Sequence, residues 1–488
     1  MTVAETIDYM KLPTILKRYK FEDKMRYAEE YSRMIMQPDV QCDPGKIRKL
    51  ILPWELECYV MLSVKASEWK FDDLSQTEFL RIMNSIRQVK HPKLQIKTGS
   101  EKFAQWLIMV LAATQFDYEE SYWNKMFRFS YYFSYVGDGI NMPEEFKRKF
   151  GIEYQNILTF TWSLWMLYIT NAANIEQCKR ELIDKHSVEV GLLTINREEY
   201  ISELNEVTPD LFDYIYCLRP SYSFPFIQYE GKLSLPLPHL LVRASTSALM
   251  FRLTSENNAL REKIGHKVLE SYLLHILSTY PEFECVKPEI IYSKGKLQNQ
   301  RSVDVMALAG NQIFCFDSKS FSPKTNLRVF SEEAYSDEVA RLGKSVKQMY
   351  EHIHNKFGIE YNPFEVTIDK DRSNIWGLVI VSENPFISLS DIYANAVKQL
   401  NIQLSTDEYE WLQGHVGIVS LSALEYQIFS CDNILAVVQQ NALSKNYEDH
   451  WFSGMKETRE ADEISEFKDR QLELSSKLLR SLECVVDN

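Results

Sequence analysis

At 488 residues, with 45% apolar and 25% charged side chains and only 16 Gly and 16 Pro, the composition argues against a chain dominated by disorder. It predicts roughly two to three globular domains of helix-rich character. The net charge of −13 argues against a protein that coats nucleic acid nonspecifically, since such binding is driven by Lys and Arg releasing counterions. Lys287 to Tyr350 nevertheless holds ten Lys or Arg against seven Asp or Glu, so one region is locally basic.

In chain order, Met1 to Lys20 mixes Glu5, Asp8, Lys11, Lys17 and Arg18 with apolar residues and offers no secretory apolar core, which makes a cytoplasmic location the default expectation. The eight cysteines (Cys42, Cys58, Cys178, Cys217, Cys285, Cys315, Cys431 and Cys484) include no C-x-x-C pair and are expected to be reduced and mostly buried. Residues 1–250 read as a mainly helical regulatory or recognition region, because apolar positions recur at three and four. Tyr154 to Ile175 carries no charge and is long enough to cross a bilayer. Its many Thr, Ser, Asn and Gln residues instead predict a buried helix in a protein without membrane partners. Arg219 to His239, with four prolines and a glycine, reads as a connector, and the main boundary is expected near Ser255.

Beyond that boundary, residues 256–440 alternate. A helix is predicted from about Asn258 to Ser278, strands at 285–292, 302–308 and 313–320, a helix from Glu332 to Lys356, a strand at 375–382, and a strand leading into a helix at 415–429. The order α-β-β-β-α-β predicts a central mixed sheet flanked by helices. Residues 441–488 are expected to form a C-terminal tail whose helix at 464–485 is amphipathic. That stripe, like the N-terminal region, offers a surface for a homo-oligomer or partner protein.

Within the strand at 313–320, alternation puts Ile313, Cys315, Asp317 and Lys319 on one face and Phe314, Phe316 and Ser318 on the other. Apolar residues upstream on both faces make the strand central, so an acid and a base at its end must be paired or bind something. Asp304 interrupts the preceding strand, and Glu270 lies at the margin of the apolar face of the helix before it. Three carboxylates at the end of a buried sheet repel one another without a cation, and oxygen-only donors favour Mg²⁺ or Mn²⁺ over zinc.

The pattern G-x-x-x-x-E at Gly265 to Glu270, V-D-V around Asp304 and D-S-K at Asp317 to Lys319 resembles the PD-(D/E)XK nuclease superfamily over about a quarter of the chain, Lys263 to about Ser382. The resemblance implies an α/β restriction-endonuclease-like core and a metal-dependent nuclease. It implies Asp304 and Asp317 as direct metal ligands with the Ser318 carbonyl, Glu270 as a ligand or orienter through water, and Lys319 as the residue that positions the attacking water. DNA is the expected substrate, and a restriction or anti-phage defence setting rests on fold-level analogy alone. An RNase on the same core and a catalytically silent interaction module remain open alternatives.

Acid-x-Lys by itself is a weak signal. Glu22-Asp23-Lys24, Glu145-Phe146-Lys147 and Glu466-Phe467-Lys468 match it too and read as solvated surface. Lys344, Lys347 and Gln348 on the polar side of the helix at 332–356 are candidate nucleic-acid contacts. Some branches of the family place Gln-x-x-x-Tyr on that helix. Here His352 follows Gln348 by four. His266 is expected at the surface.

Overall fold

The computed structural model describes residues 7–37, 51–66, 68–89, 122–170, 174–207, 210–215, 217, 219–295, 297–320, 331–383, 387–429 and 433–444. The tail at 441–488 and its helix therefore lie almost wholly outside the described residues. In chain order the helices used below are α1 (Phe21–Ile35), α2 (Pro53–Lys65), α3 (Tyr122–Ser134), α4 (Tyr154–Ile169), α5 (Leu269–Ser278), α6 (Glu332–Asn355), α7 (Leu389–Leu400) and α8 (Leu421–Phe429). The strands are β1 (Thr194–Asn196), β2 (Phe226–Tyr229), β3 (Lys232–Ser234), β4 (Cys285–Pro288), β5 (Ile291–Lys294), β6 (Leu297–Arg301), β7 (Val305–Ala309), β8 (Gln312–Lys319), β9 (Ile375–Val381) and β10 (Val416–Ser420).

Contacts divide the chain into two compact units, Met1–Glu119 with Asn141–Asn257, and Glu120–Ile140 with Asn258–Asn488. The division at 257 falls beside the expected boundary. Residues 120–140, however, lie within the region read as N-terminal and yet belong to the second unit. Nothing in the periodicity of α3 distinguishes it from its helical neighbours, because the partner that claims it is far away in sequence.

The first unit is mainly helical. α4 is buried as expected, and its polar residues are largely satisfied within the helix: Thr161 Oγ1 donates to the Ile157 carbonyl and Ser163 Oγ to the Thr159 carbonyl, each at 2.8 Å. Among the described residues no helix is long and apolar enough to cross a membrane. The segment 219–239 is not a connector. β1, β2 and β3 form a small sheet through it, and Arg219 and His239 are in the core. Lys24 is also buried, contrary to the surface reading. Its ammonium donates to the carbonyls of Leu16 and Ser63 and lies 3.7 Å from Glu68, and burial lowers its pKa to about 8. Lys147 is exposed, as expected.

The second unit is α/β, built on an open five-stranded mixed sheet in the order β10-β9-β8-β7-β4. β8 is its middle strand, parallel to β9 and antiparallel to β7; β9 and β10 are parallel, and β4 and β7 antiparallel. The uninterrupted apolar runs of β9 and β10 are the signature of strands buried on both faces. Helices cover both sides. Phe314 and Phe316 meet Phe283, just beyond α5, at 5.2 and 6.0 Å. On the opposite face Gly377 lies so close to α6 that a Cβ there would meet Met349 Cγ at 2.5 Å. The run read as one strand at 285–292 is two: β4 joins the main sheet, while β5 pairs with β6 in a separate hairpin. Pro288 lacks an N–H to donate, and the ladder ends there.

α3 is locked into this unit by a buried ion pair. The Arg128 guanidinium on α3 makes two bonds to the Glu425 carboxylate on α8, at 2.7 and 2.6 Å, and Tyr272 Oη on α5 donates to the same carboxylate at 2.6 Å. Tyr131 and Ser271 share a hydroxyl hydrogen bond of 2.8 Å alongside.

Candidate active site

The antiparallel register of β7 and β8 brings two acids to one end of the sheet. Phe316 pairs with Val305, so Asp317 comes opposite Asp304 one position beyond the ladder. Asp304 itself stands just before β7 rather than within it. Free of the ladder, its carboxylate turns back on β8: Oδ2 accepts from the Ser318 N–H at 2.6 Å and from Ser318 Oγ at 2.7 Å. Lys319 Nζ lies 2.6 Å from Asp317 Oδ2, the pairing that alternation on one strand face predicts.

Glu270 reaches the same end from α5. The helix predicted from 258 to 278 is broken in its middle by a π-helical stretch, Ile264–Val268. There Gly265 approaches the end of β8 so closely that a Cβ would meet Ser320 Oγ at 2.7 Å and Ser320 Cβ at 2.8 Å. The wider turn changes the phase of the helix immediately before Glu270, a use of π-bulges common at functional sites. Lys267 Nζ donates to Glu270 Oε2 at 3.2 Å, and His266, exposed as expected, stands 3.9 Å from the other oxygen.

The electrostatics are those of crowded carboxyls. Burial, then the charge of Asp304, pushes the Glu270 carboxyl up to about 7, against the opposing pull of Lys267. Burial and Asp304 also raise Asp317 above the usual carboxylate range, although Lys319 works the other way. Both carboxyls are raised further by Glu289, which the sequence reading missed. Pro288 pairs with Val305, so Glu289 falls opposite Asp304 on the other flank. The signal available was the Pro-Glu step inside a run otherwise read as one continuous strand.

Lys344 and Gln348 are exposed on α6, and Lys347 pairs with Glu351 at 3.6 Å. Among the described residues no hydrogen bond or ion pair joins them to Glu270, Asp304 or Asp317. His352 is buried with Nε2 2.5 Å from Tyr361 Oη, which makes it a packing residue and not a group facing the acids.

Among the described residues no group of three His, Cys, Asp or Glu side chains is gathered closely enough to hold a metal ion. Asp304 spends one oxygen on Ser318, and Asp317 spends one on the Lys319 ammonium. The donor set itself suits a hard divalent cation: every donor is oxygen, and burial together with mutual repulsion raises two of the carboxyls. The fit thus lies in the chemistry of the donors and requires Lys319 to move off Asp317.

A second arrangement, in the first unit, has the hydrogen-bond order of a nucleophile, base and orienting acid. Ser32 Oγ lies 2.7 Å from His239 Nδ1, and His239 Nε2 lies 3.2 Å from Glu57 Oε1. Glu57 also accepts from Tyr222 and pairs with Arg219 at 2.9 Å. Ser32, His239 and Glu57 are 0%, 2% and 0% exposed, so no substrate reaches them, and the network serves to join α1 and α2 to the 219–239 segment.

Comparison of the chain with family models, with curated proteins and with solved structures returns no match.

Proposed function

We propose that the second unit is a metal-dependent phosphodiesterase of the PD-(D/E)XK, restriction-endonuclease-like type, acting on nucleic acid and in the first instance on DNA. The observation that carries this reading is Asp317-Ser318-Lys319 at the end of the central strand, with Asp304 folded onto Ser318 from just before the neighbouring strand and Glu270, on the helix that follows the π-turn, near enough to feel the Asp304 charge. Of the acid-x-Lys matches, this one combines a buried strand with two further carboxylates at the same end of a sheet. The order of helices and strands around it supports the same reading.

Asp304, Asp317, Glu270 and the Ser318 carbonyl are the groups that would hold Mg²⁺ or Mn²⁺, whose contribution would be to acidify a water and offset charge on the phosphate. The chain supplies the rest. Asp317 at the end of β8 and Asp304 just before β7 bring their carboxylates to the same end of the sheet, and Lys319 must leave Asp317 before a cation enters. Lys319, released from Asp317, would donate to a water or phosphate oxygen.

The test incubates the full chain with plasmid, linear and single-stranded DNA and with RNA, in Mg²⁺, Mn²⁺ or EDTA. Cleavage in metal and not in EDTA is expected, with Asp317→Ala and Lys319→Ala each lowering it by at least ~10²-fold while melting stays near wild type. Glu145→Ala, a control in the first unit that removes only the partner of the exposed Arg148, is expected to cut normally. Undiminished cleavage by either site variant refutes the assignment, and RNA cleavage alone would establish the ribonuclease form.

A further inference from the structure

The acids are bordered by a hairpin that none of the roles assigned so far uses. Between Lys287 and Arg301 the sequence carries Lys287, Lys294, Lys296 and Arg301 against the single acid Glu289, in a chain of net charge −13. β5 and β6 form this hairpin outside the main sheet, between β4 and β7, so it begins just after Glu289 and ends just before Asp304. Ser293, Lys294, Gln298 and Asn299 are exposed.

The hairpin is held firmly at its base. The Tyr292 ring stacks on Tyr361 at 4.6 Å and its hydroxyl donates to Glu360 at 2.8 Å. Ser302 N–H donates to the Ile290 carbonyl at 3.0 Å, and Lys294 Nζ to the Ile359 carbonyl at 2.9 Å, which leaves that ammonium two further donors. Among the described residues the Arg301 side chain bonds only Glu289, at 3.0 and 3.3 Å, and it is 63% exposed. An ion pair so open to water contributes little and exchanges partners readily. A guanidinium donates two parallel bonds to an oxyanion with two acceptor oxygens, and the two non-bridging oxygens of a backbone phosphate offer such a partner.

We propose that the β5–β6 hairpin is the element that grips the nucleic-acid backbone beside the acids, with Arg301 passing from Glu289 to a phosphate and Lys294 holding a neighbouring one. This rests on the nuclease reading and refines it. The principal phosphate contacts then lie on the hairpin and not on Lys344 and Lys347 of α6. The hairpin emerges between the strand ends that carry Glu289 and Asp304, so a strand it holds lies across the acids.

The full chain is titrated with labelled duplex DNA, single-stranded DNA and RNA of equal length, with Ca²⁺ in place of Mg²⁺, between 50 and 200 mM salt. Arg301→Ala and the pair Lys294→Ala with Arg301→Ala are compared with Lys344→Ala/Lys347→Ala. The hairpin pair is expected to weaken binding by about tenfold or more and to lower the slope of log K against log salt by roughly two, while the helix pair changes neither. In Mg²⁺, Arg301→Ala is expected to raise KM more than it lowers kcat. Wild-type binding with the hairpin pair unaffected in affinity and slope overturns the inference and leaves the nuclease reading standing. A wild-type protein that neither binds nor cuts any of the three removes both.

Discussion

Arg128→Met is the perturbation that tests most directly how the second unit is assembled. Glu425 is fully buried and Arg128 is 5% exposed, and the pair is bidentate. Removing the guanidinium takes a bidentate partner from a buried carboxylate that also accepts from the Tyr272 hydroxyl, and breaking a buried pair from one side costs about 3–5 kcal/mol. With a urea m-value of roughly 2–3 kcal/mol/M, the midpoint of the second unit's transition should fall by about 1–2 M. Arg128→Met with Glu425→Leu should recover most of that loss, because two apolar side chains need no desolvation of charge. The assay is urea denaturation of the full chain followed by circular dichroism and by exposure of Cys315, a buried thiol on β8. The same contact predicts that a fragment beginning at 256 aggregates or unfolds, since it lacks the segment Glu120–Ile140 that belongs to its unit. A midpoint within 0.2 M of wild type for Arg128→Met, or a fragment from 256 that unfolds as cooperatively as the intact protein, would refute the reasoning.

Gly265→Ala should impair cleavage and cost about 1–3 kcal/mol, because the new Cβ must displace Ser320 beside Lys319; a variant as stable and active as wild type in the same denaturation and cleavage assays would show that the close approach is dispensable. Mg²⁺ or Mn²⁺ should raise the melting temperature of the wild type and much less that of Asp304→Asn/Asp317→Asn, since the cation relieves repulsion among the carboxyls; calorimetry showing no millimolar binding with or without DNA would count against the donor set. Burial lowers His352 to about 4, so the unfolded chain binds the extra proton first: stability is present above the unfolded value near 6.5 and is lost as pH falls towards 4. His352→Gln should flatten the part of the stability profile between those values, and an unchanged slope would mean that other groups carry it.

Much of the second unit was legible in the sequence because its strands are short apolar runs with period-two faces and its long helix keeps strict three-four spacing. Those are local properties, decided by which side chains a pleat or a helical turn brings onto one face. Asp317 and Lys319 could be read as neighbours for the same reason. Asp304 was read within its strand and stands just outside it, which frees its carboxylate to accept from Ser318.

What only the tertiary structure decided depends on pairing between distant positions. The π-turn before Glu270 coincides with the close approach of Gly265 to Ser320, a residue 55 positions away. Glu289 joins the acids because β4 stops at Pro288 and pairs with β7, a register no periodicity encodes. Lys24, Arg219 and His239 read as surface or connector residues, yet buried acceptors and partners take up their polar groups. α3 looked like any aromatic-rich helix of the first half. Its membership of the second unit is set by Glu425, 297 residues away from Arg128, where the burial of two opposite charges is offset by their bidentate pairing and by the Tyr272 hydroxyl.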